Sequence, residues 1–134
     1  MLKSLEKNIS QSKKVKFLLC DDDERIKEIF DKFDCNLIWI SSPQKAMDFL
    51  EAVEPSEKPD IAVFDINFSL GSNEGERYEI TPYFNTAISG ICFRKKIKLL
   101  YSSHVPLTRI DFTVPRQRFI PKKRLNQWLA EKFQ

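Results

Sequence analysis

Acidic residues close two apolar runs of this sequence, and a lysine closes a third. Asp21 and Asp22 follow the first run, Asp65 follows the second, and Lys122 follows the third. Carboxylates are ligands for Mg²⁺, and a carboxylate can also act as a nucleophile that accepts a phosphoryl group. A fixed ammonium group stabilises the charge of a phosphoryl group in transfer. The four residues are therefore expected to form one site if the fold brings them together, and a metal ion and a phosphoryl group are ligands that such a site could hold.

The elements around these residues predict how they meet. Five apolar segments are typical of buried strands, at residues 15–20, 36–40, 61–64, 97–101 and 118–120. Between most of them, apolar residues recur at helical spacing, as in Ile26, Ile29, Phe30 and Phe33. Strands that alternate with helices favour a doubly wound α/β domain with a parallel sheet. In such sheets ligands bind at the carboxyl ends of the strands, so the acids and the lysine are expected in one crevice.

Three carboxylates in one crevice would repel one another. The repulsion would raise the pKa of at least one of them unless a divalent cation neutralised the charge. Mg²⁺ suits such a site because it takes few carboxylates, keeps several waters and leaves room for phosphate oxygens. The sequence therefore predicts Mg²⁺ as the cofactor. Asp23, next to the pair, is predicted only to cap the following helix, where the helix dipole favours an anion.

Two segments carry weaker patterns. Residues 69–78 hold two of the three glycines and are predicted to form a loop. Residues 104–117 contain Pro106 and Pro115 around a β-branched stretch, so the fourth helix is predicted to be short or absent. Residues 1–14 are polar and rich in lysine, and they are predicted to be an N-terminal arm, either a frayed helix or disordered. Residues 15–134 then form the folded domain.

Composition excludes several classes of function. With 134 residues, of which 42% are hydrophobic, the chain is the size of one ordinary domain. It has no apolar stretch that would span a bilayer and no signal-peptide core, which predicts a cytoplasmic protein without membrane contact. Its three glycines do not fit a phosphate-binding P-loop. Three cysteines without C-x-x-C spacing and one histidine predict neither disulfides nor a zinc site.

Charge is distributed unevenly along the chain. Residues 1–93 hold 11 Lys+Arg against 17 Asp+Glu, whereas residues 94–134 hold 11 against 2. The simpler interpretation is a solvated basic face, and the sharper one is an acidic protein partner or a nucleic acid. The residues behind the nucleic-acid hypothesis are Arg94, Lys95, Lys96, Arg116, Arg118, Lys123 and Arg124.

Four motifs in order carry a resemblance to a known family. They are FLLCDDDERI, IAVFDIN, LLYSSH and FIPKKRL, spread over residues 15 to 133. This order resembles the receiver domain of two-component response regulators. The resemblance implies the flavodoxin-like fold of the chemotaxis protein CheY, with a five-stranded parallel sheet in the order 2-1-3-4-5.

The resemblance also implies a role for each site residue. Asp65 would be the phosphoacceptor, and it would form the catalytic set together with Ser102 and Lys122. Asp22, Asp65 and the backbone carbonyl of Asn67 would be direct ligands of Mg²⁺, with Asp21 holding the ion through water.

A switch is implied as well. The hydroxyl of Ser102 would bond a phosphoryl oxygen, and Phe119 would rotate into the space that Ser102 vacates. Ser103 is the alternative if the strand ends one residue later. His104 near the crevice mouth is expected to be an exposed loop residue, with modulation of dephosphorylation as the other hypothesis. Phe119 is otherwise a core residue.

The sequence departs from the family pattern at three places. Phe68 and Ser69 stand where the family usually has Met-Pro, Lys123 replaces the usual proline after the lysine, and the fourth helix is weak.

Three functions remain open. The leading hypothesis is a stand-alone receiver that accepts a phosphoryl group from a histidine kinase or phosphotransfer protein, loses it by self-dephosphorylation, and signals by binding a downstream protein. The alternative is a receiver-like interaction module that has lost regulated phosphorylation. A phosphatase of the haloacid dehalogenase type is a third hypothesis, because FDINFS resembles that family's signature, but Asn67 stands where its second acid belongs.

Overall fold

The computed structural model describes residues 14–70, 73–79, 82–104, 106 and 114–133, with the backbone alone for residues 67–70, 73–79 and 82–84. Seven strands lie in these residues: β1 (Lys16–Cys20), β2 (Asn36–Ile40), β3 (Ile61–Asp65), β4 (Asn67–Leu70), β5 (Asn73–Glu79), β6 (Lys98–Ser103) and β7 (Phe119–Pro121). The α-helices are α1 (Glu24–Asp31), α2 (Pro43–Ala52), α3 (Pro82–Lys95) and α4 (Leu125–Lys132). Residues 1–13 of the predicted N-terminal arm lie outside the described residues.

The main sheet has five strands in the order β2-β1-β3-β6-β7, and every neighbouring pair is parallel. This confirms the predicted flavodoxin-like order. β3 is buried along its whole length, as its continuous apolar run indicates for a central strand. The two faces of the sheet carry separate apolar clusters. One contains residues of α2 and α3, and the other contains residues of α1 and α4.

Local sequence signals set the starts of three helices. The side chain of Asp23 accepts a hydrogen bond from the Arg25 amide at 3.0 Å, which confirms its predicted role as the cap of α1. Ser42 caps α2 in the same way, and Pro43 occupies the first helical position. α3 begins at Pro82, as the sequence predicts.

The prediction of a loop at residues 69–78 is wrong. β4 and β5 pair there as an antiparallel two-stranded sheet, with Asn67 opposite Glu79 and Phe68 opposite Tyr78. β4 alternates polar and apolar residues over only four positions, and every residue of β5 except Tyr78 is polar or glycine, so the two-residue period that identifies a strand is weak. Gly71-Ser72 between the strands is a known hairpin pair and was the available signal.

Between β6 and β7, the described residues contain no α-helix and only a 3₁₀ turn at Arg116–Arg118. Residues 105 and 107–113 of this stretch lie outside the described residues. The described residues of this stretch agree with the prediction that the helix between the fourth and fifth strands of the main sheet is short or absent. Across the described residues, no helix has both the length and the apolar character to cross a membrane.

Two lysines tie α2 and α3 together at the end of the sheet opposite to the acids. The Lys95 Nζ donates to the carbonyl oxygens of Leu50 and Glu51, both at 2.6 Å, and so caps the last turn of α2. The Lys58 Nζ donates in turn to the Lys95 carbonyl oxygen at 2.7 Å. Cations at helix C-termini satisfy the last carbonyl groups and oppose the helix dipole. Lys95 is therefore a structural cap. Its ammonium group is engaged by α2, so it is not one of the free basic groups on which the nucleic-acid hypothesis relies.

Gly90 offers a test of the helix assignment for α3. It is exposed in the middle of the helix, and a Cβ atom placed on it would meet nothing within 4 Å. Gly90→Ala should therefore raise the free energy of unfolding by roughly 0.5–1 kcal/mol, since alanine loses less backbone entropy in a helix. Urea denaturation with an unchanged slope measures the gain. A lower midpoint for the variant would contradict the assignment.

Candidate functional site

The register of the sheet aligns the candidate residues. Cys20 pairs with Phe64, so Asp21 and Asp65 occupy the next level, and Asp65 itself pairs with Ser102. Side chains alternate between the two faces of a strand. Asp21, Asp65 and Ser102 therefore lie on one face, at the carboxyl ends of three adjacent strands.

Lys122 reaches the acids from the edge strand β7. It is the first residue of a 3₁₀ turn, Lys122–Arg124, directly after β7. Its Nζ lies 2.9 Å from the Asp21 Oδ2 and 3.0 Å from the Asp65 Oδ2. All three side chains are only 1% exposed. The predicted convergence of two acids and the lysine is thus an observed contact.

Asp22 completes an acidic cluster. One carboxylate oxygen from each of Asp21, Asp22 and Asp65 lies within 4.8 Å of the others. Asp22 is half-buried, whereas the other two acids are buried. An all-oxygen, carboxylate-rich donor set of this kind suits Mg²⁺ and does not suit a thiolate- or imidazole-seeking metal. The residues therefore fit the predicted Mg²⁺.

The electrostatics of the cluster show an excess of negative charge. Burial raises the pKa of the Asp21 carboxyl group, although the nearby Lys122 ammonium lowers it. Burial also raises the pKa of the Cys20 thiol, and the charges of Asp21 and Asp65 raise it further. The Lys122 ammonium group contacts two of the three carboxyl groups, and a divalent cation would offset the negative charge of such a cluster.

The loop that carries Asp22 is held by hydrogen bonds. The Asp21 amide donates to the Ile40 carbonyl oxygen at 3.2 Å, and the Asp23 amide donates to the Asp21 Oδ1 at 2.9 Å. The Trp39 indole Nε1 donates to the Asp21 carbonyl oxygen at 2.7 Å. Sequence reasoning missed Trp39, because a tryptophan in an apolar strand is typical of the core.

The remaining predicted residues are placed as follows. Ser102 is buried, and its Oγ has no hydrogen-bond partner among the residues that the structure describes. Ser103 is also buried but alternates to the opposite face. Phe119 is half-buried beside Tyr101 and packs against the cluster under α2 and α3. His104 is exposed, as expected. Asn67 begins β4, two residues beyond Asp65.

The three cysteines are free thiols. This agrees with their sequence spacing. Cys20 and Cys92 are buried and Cys35 is half-buried.

Solved structures share this architecture. The chain matches a low-resolution structure of the response regulator StyR, with 15% identity and a TM-score of 0.55 over 90% of this chain and 57% of that chain. It also matches a CheY-like response regulator receiver domain protein from Methanospirillum hungatei JF-1, with 14% identity and a TM-score of 0.52 over 89% of this chain and 93% of that one. A fusion protein that contains a yeast Spc42 trimeric coiled coil matches with 16% identity and a TM-score of 0.57, over 89% of this chain and 72% of that chain.

These likenesses concern the fold. The chain spans little more than half of the StyR chain that it matches. No protein-family model and no curated protein matches the sequence. The fold is therefore that of CheY-like receiver domains.

Lys122 should be essential for stability in the absence of metal. Lys122→Met leaves two buried carboxylates without their cation, and breaking a buried pair in this way costs roughly 3–5 kcal/mol. Lys123→Met is the matched control, because its exposed side chain should change stability by no more than about 0.5 kcal/mol. Urea denaturation at pH 7 without divalent cations compares the two variants.

The loss in Lys122→Met should also depend on pH. Burial raises the folded-state pKa of Asp21 above its unfolded value, and loss of the ammonium raises it further. A carboxyl group with a raised folded pKa favours folding at low pH and opposes it as pH rises through that pKa. The stability gap between Lys122→Met and wild type should therefore narrow on acidification. Equal stability of the Lys122 and Lys123 variants at pH 7 would contradict the buried ion pair.

Proposed function

We propose that this protein is a receiver that accepts a phosphoryl group on Asp65 and signals by binding another protein. The observation that carries the proposal is the buried contact of one Lys122 ammonium with both Asp21 and Asp65, at the carboxyl edge of a receiver-like sheet. A histidine kinase or a histidine phosphotransfer protein would be the donor. A cytoplasmic location belongs to the same proposal.

The proposed reaction transfers a phosphoryl group from a histidine nitrogen of the donor to a carboxylate oxygen of Asp65. An Asp65 carboxylate oxygen attacks the phosphorus of a phosphohistidine, a new P–O bond forms, and the P–N bond breaks. The leaving imidazole recovers its electron pair and takes a proton from solvent. Phosphoryl transfer depends mainly on positioning and on charge stabilisation. Lys122, already 3.0 Å from the Asp65 Oδ2, supplies a fixed positive charge beside the incoming phosphoryl oxygens.

The acidic cluster would hold the metal. Asp22 and Asp65, with the backbone carbonyl of Asn67, are the proposed direct ligands, and Asp21 would act through water. Mg²⁺, when bound, would neutralise negative charge on the phosphoryl group and on the carboxylates. Asp21 meanwhile fixes Lys122 through the 2.9 Å ion pair, which keeps the ammonium directed towards Asp65.

Ser102 is the proposed sensor of the phosphoryl group. Its buried hydroxyl lies on the same face as Asp65 in the neighbouring strand and lacks a hydrogen-bond partner in the part of the chain that the structure describes. A buried hydroxyl without a partner gains a hydrogen bond when a phosphoryl oxygen arrives. Phe119 lies on β7 beside Tyr101, on the face opposite to Ser102, so in the proposed switch it would respond to a movement of the end of β6 that carries Ser102.

A second candidate is an interaction module that has the fold but not the regulated phosphorylation. The β4–β5 hairpin favours it, because this hairpin begins two residues after Asp65, beside the site that a donor protein would have to approach. The two candidates make different predictions about a small phosphodonor and about Mg²⁺.

Acetyl phosphate with Mg²⁺ should add one phosphoryl group to the intact protein, as measured by mass spectrometry. Asp65→Asn should abolish the addition, since an amide cannot form the acyl phosphate. Asp48→Asn, at an exposed position on α2, is the control that should leave the addition unchanged. A mass increase that persists in Asp65→Asn defeats the assignment of the acceptor. No increase in any protein favours the interaction module.

Mg²⁺ should change the fluorescence of Trp39, because its indole is bonded to the main chain of the acidic cluster. The titration is made in the Trp128→Phe variant, so that Trp39 is the one remaining tryptophan. We expect a saturable change that is greatly weakened by Asp22→Asn. An identical response in Asp22→Asn would count against the proposed ligand set.

A further inference from the structure

The end of the β1–β2 ladder is completed by a side chain. The N–H and C=O of one residue in a strand point to the same side. The Asp21 N–H bonds the Ile40 carbonyl oxygen, so the Asp21 carbonyl group also faces β2. β2 ends at Ile40, and the chain turns at Ser42 into α2. The Trp39 indole N–H meets the Asp21 carbonyl oxygen where the next main-chain donor of β2 would have been.

This hydrogen bond fixes the peptide unit between Asp21 and Asp22. The amide group is planar, so holding its carbonyl oxygen also orients the N–H and the Cα of Asp22. On the other side, the Asp23 amide is bonded to the Asp21 Oδ1 at 2.9 Å. Asp22 therefore sits between two anchored peptide units, although its own side chain is only half-buried.

The indole is itself held in place. It lies at the margin of the apolar cluster under α1 and α4, and the Lys27 Nζ lies 5.9 Å from its ring centroid. Lys27 is in turn paired with Asp31 at 2.8 Å. The donor is thus a rigid aromatic group with two contacts besides its hydrogen bond.

We propose that Trp39 is a positioning residue for the divalent cation, which it serves by orienting Asp22 through the indole hydrogen bond to the Asp21 carbonyl group. The inference rests on the proposed function, because it concerns the same acidic cluster. Cation sites need their ligands in place before the ion arrives. Loss of one hydrogen bond that orients a ligand should therefore weaken binding without removing any ligand.

The test removes the N–H and keeps the ring. In the Trp128→Phe background, tryptophan is replaced by benzothienylalanine, which has sulfur in place of the indole N–H and nearly the same shape. Isothermal titration calorimetry with Mg²⁺ alone should give a dissociation constant that is about threefold to tenfold higher, the scale of one hydrogen bond. The Trp128→Phe protein with ordinary tryptophan at position 39 should bind Mg²⁺ like wild type, because Trp128 is a half-buried residue that packs against Phe17.

A second variant and a stability measurement separate positioning from packing. Trp39→Phe should weaken Mg²⁺ binding at least as much as benzothienylalanine does. Urea denaturation without Mg²⁺ reports the folded fraction of each protein. If partial unfolding accounts for the whole loss of affinity, or if the substituted protein binds as tightly as its control, Trp39 is not a positioning residue. If wild type itself binds no Mg²⁺, the proposed metal site and this inference both fail.

Discussion

The burial of two carboxyl groups, those of Asp21 and Asp65, against the Lys122 ammonium group is the constraint on which the rest of the structure depends. Taking charged groups out of water is costly, and a buried pair rarely repays the whole cost. Here the Lys122 ammonium contacts two acids that are almost completely inaccessible, and burial still raises the pKa of Asp21. The cluster therefore opposes folding, and the apolar sheet beneath it must supply the stability.

The sheet supplies that stability and also fixes the geometry. β1 and β3 are buried strands with apolar side chains on both faces, and helices cover each face. The carboxyl ends of these parallel strands lie at one edge of the sheet, so Asp21 and Asp65, at or just after those ends, lie close together. A site that is strained electrostatically on a scaffold that is stable elsewhere is typical of residues retained for function.

Much of this arrangement was predictable because parallel sheets follow simple rules. Apolar runs marked the five strands, helical spacing marked the helices between them, and the acids at strand ends followed from topology. The β4–β5 hairpin was not predictable in this way, because β4 has only four residues and every residue of β5 except Tyr78 is polar or glycine. The assignment of Ser102 rather than Ser103 to the face of Asp65 also needed the register, since a shift of one residue exchanges the two faces.

Trp39 shows a further reason why sequence reasoning stops short of the site. Its partner is a main-chain carbonyl group, 18 positions earlier in the chain, and backbone acceptors leave no trace in the residue types. The same holds for Lys95, whose charge suggested a binding surface but whose ammonium group caps α2 through backbone carbonyls. A motif does not show which side chains hydrogen-bond to the backbone. At Asp21, the Trp39 side chain supplies the hydrogen bond that β2 does not, because β2 ends at Ile40. The main chain at Asp21 is therefore held by the edge strand β2 as well as by β1, the strand that leads into the acids.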